Sequence, residues 1–217
     1  DDPDGPDTGY TLGIDLAVPS TADLSGNWYA LVGVERSTSY GFVKLIKDKE
    51  AQTVLIALKE IQRELTVESK EGVVVELIRV HSDDDSSFKG VVSSWLIDKN
   101  IKQTHTGGYR PQSNSITERR IRTLKEGVKA MLLQCTGGLG IYNGLWGPAM
   151  VHANYCYNRS PMDNGNIPYK TLTGKDVKWE QDDLVFGQEV LYHKPNAHRT
   201  DNWDCPGSRA IWLGRDP

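Results

Sequence analysis

Residues 79–90 read RVHSDDDSSFKG and close an apolar run that begins at Val73. A near-continuous apolar run of this length, Val73 to Val80, predicts a strand buried on both faces of a sheet. It ends in three aspartates, Asp83, Asp84 and Asp85. Thirty-four residues separate Asp83 from Glu118, which lies in the segment IKQTHTGGYRPQSNSITERRIRTLKEGVK, residues 101–129. A strand end and a helix can carry such carboxylates to one point. Carboxylates held close repel one another and need protons, basic partners or a cation. Oxygen-only ligands suit a hard cation such as magnesium or manganese. Metal-assisted phosphoryl chemistry is then the natural reading.

The spacing from Ser115 to Leu133 predicts a helix. Ser115 is placed as an N-cap and Glu118 follows at the capping-box distance. That gives Glu118 two competing roles, because a side chain reaching back to the cap cannot also reach a metal. Glu118, Arg122 and Lys125 or Lys129 fall on overlapping faces at i, i+4 and i, i+3 spacing. Such a stripe either holds DNA phosphates beside the carboxylates or pairs internally on a solvated face. Gly107-Gly108-Tyr109-Arg110-Pro111 reads as a loop into this helix, either a mobile flap or a plain connector.

The remaining pattern is that of an ordinary globular chain of 217 residues, 38% hydrophobic and 25% charged. That length accommodates one substantial core and a small extra module. Asp1 to Thr8 is an acidic lead-in with the composition of a flexible terminus. Tyr10 to Val18 is an apolar strand interrupted by Asp15, an acid that is costly there unless paired, protonated or metal-bound; a turn-forming Asp near the strand end is the other possibility. Asn27 to Val34 and Tyr40 to Ile46 form a hairpin pattern. Glu50 to Leu65 carries Val54, Leu55, Ala57, Leu58, Ile61 and Leu65 at helical spacing. A short helix over Phe88 to Leu96, a short strand over Ile101 to Thr106 and a helix over Gly144 to Asn158 follow. Alternation in Leu184 to Tyr192 and Ala210 to Leu213 predicts short strands.

Net charge is −4, which by itself speaks against a nucleic-acid partner. From Lys99 to Lys129, however, eight basic residues face two acidic ones, and a local basic patch can neutralise phosphates. Cys135, Cys156 and Cys205 lie far apart without a CxxC pair, which argues for reduced thiols rather than a zinc ribbon or a disulfide framework. His152 and Cys156 stand at a ligand-like i, i+4 spacing, but no second pair completes a zinc site. No apolar run reaches bilayer length, so no membrane partner is expected. No basic-then-apolar leader is visible, and the abrupt start and stop read as a piece of a longer polyprotein, acting in the nucleus or cytoplasm.

SDDDSSF (82–88) resembles the SDNGxEF segment of retroelement integrases, and YRPQSNSITERRIRTL (109–124) resembles their YxPQxNGxxERxxRTL segment. GIDLAVP (13–19) is similar to their DLxGP segment, and LWGPAMVHANYCYNRSP (145–161) to their W-x-x-A-x-x-x-A-x-Y-x-x-NR-x-P helix. IPYKTLTGK, DLVFGQEVLYHKP and SRAIWLGRDP resemble the connector and strands that follow the core, so the likeness runs from about Gly9 to Pro217. The match is best with the copia-type retrotransposon integrases. Asp84 and Asp85 stand where that family has Asn-Gly, Glu35 where it has an Asp, and Ser115 where it has a Gly. The Asp83–Glu118 interval is one residue short, a trim placed between Lys89 and Ile101.

The resemblance implies an α/β fold: a ribonuclease H-like core with a mixed five-stranded sheet flanked by helices over 10–166, after a lead-in over 1–9. A connector and small β-rich module then span 167–217, open to DNA contact, protein contact or packing. It implies a polynucleotidyl transferase that inserts element DNA into target DNA by 3′ processing and strand transfer. Asp15, Asp83 and Glu118 are the implied catalytic and metal-binding residues, with two magnesium or manganese ions. Tyr109, Gln112, Asn114, Arg119, Arg122 and Lys125 are the candidates for DNA contact, and a homo-oligomer is the expected assembly. A degenerate copy that only binds DNA, a ribonuclease H-type nuclease and an interaction protein working through the β module are the alternatives.

Overall fold

The computed structural model describes residues 9–69, 76–105, 115–135, 143–178, 184–195 and 206–214. Its centre is a mixed sheet of five strands: β1 (Tyr10–Ala17), β2 (Tyr29–Glu35), β3 (Gly41–Ile46), β4 (Leu77–Ser82) and β5 (Lys102–His105), in the spatial order β3-β2-β1-β4-β5. β1, β2 and β3 form an antiparallel meander. β4 and β5 then add in parallel to the other side of β1. The parallel pairs require crossovers, supplied by helix α1 (Ala51–Glu68) between β3 and β4 and helix α2 (Val91–Asp98) between β4 and β5.

Strand periodicity decides which face each β1 side chain meets. Leu12 and Ile14 enter a core with Leu31, Val80 and the α1 residues Val54, Leu55, Leu58, Ile61 and Leu65. The buried set of α1 is the set its spacing predicts. Ala17 enters the opposite core, built from Ala30, Val32 and Val43 of the sheet and from α3 (Ser115–Cys135) and α4 (Trp146–Arg159). Asp15 shares the parity of Ala17. It therefore belongs to the face that α3 covers.

The expected strand over Val73 to Val80 is observed as Leu77–Ser82, with residues 73–75 outside the described set. The expected helix over Phe88 to Leu96 is split. A 3-10 turn at Ser86–Phe88 comes first, and α2 starts only after Gly90, whose φ of +61° suits a residue without a side chain. The helix expected from Gly144 begins with a 3-10 turn at Asn143–Leu145 and becomes α-helical at Trp146. The connector holds one further helix, α5 (Pro168–Thr173), with Pro at its first turn and the left-handed Gly174 closing it.

β6 (Glu189–His193) and β7 (Gly207–Ile211) form a separate antiparallel pair. A lone two-stranded pair is marginal in water, and here its base is seated on the core. Phe186 is buried in the α3–α4 core, and the rings of Phe186 and Trp212 flank His152 of α4 at centroid distances of 5.9 and 5.0 Å. His152 is buried and its Nε2 lies 3.5 Å from Cys156 Sγ, so this i, i+4 pair serves packing. Cys135 is a free thiol, Cys156 lies against His152, and Cys205 lies outside the described residues. Among the described residues no helix is long and apolar enough to cross a membrane.

Candidate active site

The parallel register pairs Gly13 of β1 with His81 of β4. Asp15 lies two residues further along β1, and Asp83 lies just beyond the end of β4. Asp83 follows the last residue of β4, so it lies at the carboxyl end of a parallel strand, where ligand sites in open α/β sheets collect. Glu118 is in the first turn of α3 and exposed to solvent. Three segments far apart in sequence thus contribute one carboxylate each.

The electrostatics show that they act on one another. Asp15 is pushed up from 3.8 to about 6, first by burial and then by the negative charges of Asp83 and Glu118. The Leu16 amide, which donates to Asp15 Oδ1 at 2.7 Å, and the ammonium of Lys125 pull it back only in part. Among the described residues no group of three His, Cys, Asp or Glu side chains is gathered as tightly as one ion shared by all three would need. Asp83 and Glu118 lie near enough to Asp15 for their charges to raise it. No described hydrogen bond occupies the Glu118 carboxylate, so the capping-box role is not what holds it.

The other two aspartates have separate work. Asp85 caps the 3-10 turn, accepting the Ser87 amide at 2.8 Å and the Ser87 hydroxyl at 2.7 Å. Asp84 points to solvent and pairs with Lys89 at 2.9 Å. These partners hold both carboxyls below the usual range. The main-chain carbonyl of Asp83 accepts the hydroxyl of the preceding Ser82 at 2.9 Å and lies 3.1 Å from Nδ1 of His105 on the neighbouring strand β5. His105 is a neighbour that local sequence pattern does not mark, since only the β4–β5 pairing of Ser82 with His105 brings it there.

Of the residues expected to contact DNA, Tyr109, Gln112 and Asn114 lie outside the described set. Arg119, Arg122 and Lys125 are exposed on α3. Arg122 and Lys125 line the same shallow surface depression as Glu118, together with Lys129. Arg119 is turned to another side of the helix, its Nε donating to the Ser115 carbonyl at 3.1 Å. The residue between them, Arg120, is 4% exposed. Its guanidinium donates to Asn154 at 3.1 Å and Asn158 at 3.2 Å, bonds the Ser39 carbonyl, and lies 3.8 Å from the centre of the Tyr157 ring. These partners are dozens of residues away, which is why the segment ERRIR gives no sign that its middle arginine is internal.

Comparison with known proteins bears on the fold. No protein-family model matches the chain. Over 168 residues it is 29% identical to the Retrovirus-related Pol polyprotein from transposon TNT 1-94 of Nicotiana tabacum, covering 73% of this chain and 12% of that polyprotein. The HTLV-2 integrase catalytic core domain, solved in complex with magnesium in a trimeric form, superposes with a TM-score of 0.57 at 14% identity. That match covers 76% of this chain and 96% of the other. The chain has the fold of a retroviral integrase catalytic core. The catalytic core domain of BIV integrase shares the fold as well, with a TM-score of 0.54, 20% identity and coverage of 75% and 92%. A retroelement integrase core has the ribonuclease H-like α/β architecture with a mixed five-stranded sheet, as found here. The chain spans only about an eighth of the curated relative it matches.

Proposed function

We propose that this integrase core is a polynucleotidyl transferase that cuts and joins DNA ends of its element to target DNA, with Asp15, Asp83 and Glu118 as its catalytic carboxylates. The observation that carries the reading is Asp15. An acid pushed up to about 6, first by burial and then by the charges of Asp83 and Glu118, with Lys125 the one cation opposing them among the described residues, is a costly arrangement. A divalent cation removes that cost. The donor set, carboxylate oxygens only, fits magnesium or manganese rather than zinc. Asp15 and Asp83 would hold such an ion between them, and Glu118 would complete the set from α3.

Divalent ions held there supply activation of the attacking oxygen and stabilisation of the leaving oxygen in phosphoryl transfer. The chain's own residues do the rest. Below pH 6 Asp15 keeps its proton, so cation binding and proton release are coupled. Ser82 and His105 fix the Asp83 main chain at the end of β4. Arg122, Lys125 and Lys129 border Glu118 and give phosphates a positive surface. The magnesium of the HTLV-2 core and the trimeric and dimeric forms in which that core was solved support the cation and a homo-oligomer here.

The test is a strand-transfer and disintegration assay on labelled DNA in magnesium or manganese, with Asp83→Asn and Glu118→Gln beside the parent chain. Joined products from the parent and none from either variant are expected. Cut ends without joining would replace the transferase by a ribonuclease H-type nuclease. DNA binding without turnover would reduce the chain to a binding module.

A further inference from the structure

A second cleft lies on the side of α3 away from Glu118. It has a volume of about 560 Å³, and its walls include Arg119, Arg120, Arg122, Ser39, Tyr157 and the acid Asp163. Three guanidiniums converge on it against one carboxylate. Arg119 and Arg122 make no ion pair among the described residues, and Asp163 is exposed and pairs with neither.

Arg120 is the decisive member. Burying a guanidinium is expensive unless an anion is present. Among the described residues no carboxylate pairs with it. Three of its N–H groups are used by Asn154, Asn158 and the Ser39 carbonyl, and the Tyr157 ring covers its face. Burial lowers its proton affinity to about 10, and the only groups opposing this are the phenols of Tyr157 and Tyr40. Even the backbone is shaped around this charge. A Cβ on Gly41 would collide with the Arg120 guanidinium and stand 2.5 Å from Asn154 Oδ1. A buried cation held by neutral groups, at a cleft rimmed by two guanidiniums without an ion pair among the described residues, presents positive potential to an anion from outside.

We propose that this cleft is a backbone-phosphate subsite for DNA, separate from the carboxylate site and joined to it through Arg122, which lines both surfaces. The proposal deepens the transferase reading and rests on DNA being the substrate. A strand running past Glu118 along α3 reaches the cleft with its next phosphates. Arg119 and Arg122 bond the phosphate oxygens, Arg120 contributes field from the wall, and Asp163 limits the affinity.

The experiment is equilibrium binding of a fluorescein-labelled duplex by anisotropy, in EDTA, between 50 and 200 mM NaCl. One neutralised phosphate contributes a slope of about −0.9 in log affinity against log salt, roughly a 3.5-fold loss over that range. Arg119→Ala is expected to reduce the slope by about one, whereas Arg119→Lys preserves it. Asp163→Asn is expected to tighten binding. Arg63→Ala, on α1, is expected to change neither. Unchanged slope and affinity in both Arg119→Ala and Asp163→Asn would overturn the subsite, as would an equal loss in Arg63→Ala, or no binding of the duplex at 50 mM NaCl. No metal is present, so the outcome is independent of turnover. Joining activity with unaltered slopes sinks the subsite alone, and altered slopes without joining sink the transferase reading alone.

Discussion

Replacing Asp15 by Asn should stabilise the folded chain, although Asp15 is one of the proposed catalytic carboxylates. In the folded chain its carboxyl titrates at about 6 rather than 3.8, because burial and the charges of Asp83 and Glu118 disfavour the ionised form. Below pH 3.8 the acid is protonated folded or unfolded and carries no penalty. Between 3.8 and 6 the unfolded chain releases a proton that the folded chain keeps, so folding becomes progressively less favourable; above 6 the loss is complete. A difference of about two pH units corresponds to about 3 kcal/mol. Asp15 is only half-buried, and solvent screening reduces this to about 1–2 kcal/mol. An Asn oxygen still accepts the Leu16 amide. Asp15→Asn should therefore raise the thermal midpoint by about 2–8 °C at pH 7, with the gain vanishing near pH 4. Circular dichroism melts at the two pH values measure it. Adding magnesium at pH 7 should narrow the gap by stabilising the parent alone. A variant no more stable than the parent at pH 7, or equally favoured at pH 4, would refute the idea that crowded charge is stored at this position.

Gly41→Ala should cost roughly 1–3 kcal/mol in urea unfolding, because its methyl group occupies the space of the Arg120 guanidinium and the Asn154 amide. Asp85→Ala removes the cap of the 3-10 turn that follows the site. It should lower stability by about 1 kcal/mol yet leave substantial DNA joining, in contrast to Asp83→Asn. Joining lost as fully in Asp85→Ala as in Asp83→Asn would move the second carboxylate of the site.

Several of these features are legible in the sequence because they are local. The α1 stripe, the β2–β3 hairpin and the α3 boundaries follow from spacing alone, and the observed elements match them closely. An acid inside the apolar segment around Ile14 signals a site by its cost. Asp83 can be ordered after a strand from composition. What cannot be read is anything that depends on which distant groups meet. Residue type alone does not separate Asp84 and Asp85 from Asp83, and what those two do instead is set by Lys89 and the Ser87 turn. Arg119, Arg120 and Arg122 form one basic run, yet Arg120 is an internal cation because Ser39, Asn154, Asn158 and Tyr157 converge on it. Phe186 reads as part of a separate β module, but it is buried against α3 and α4.

The central claim is that Asp15, Asp83 and Glu118, drawn from a strand, a strand end and a helix, act together in binding divalent cations. Calorimetric titration of the chain with manganese at pH 7 tests it most directly, with Asp83→Asn and Glu118→Gln alongside. Binding by the parent, weakened at least about tenfold in each variant, is the predicted result. Unchanged manganese affinity in Glu118→Gln would contradict it, leaving Glu118 a surface residue of α3 and the aspartates a pair without a third partner.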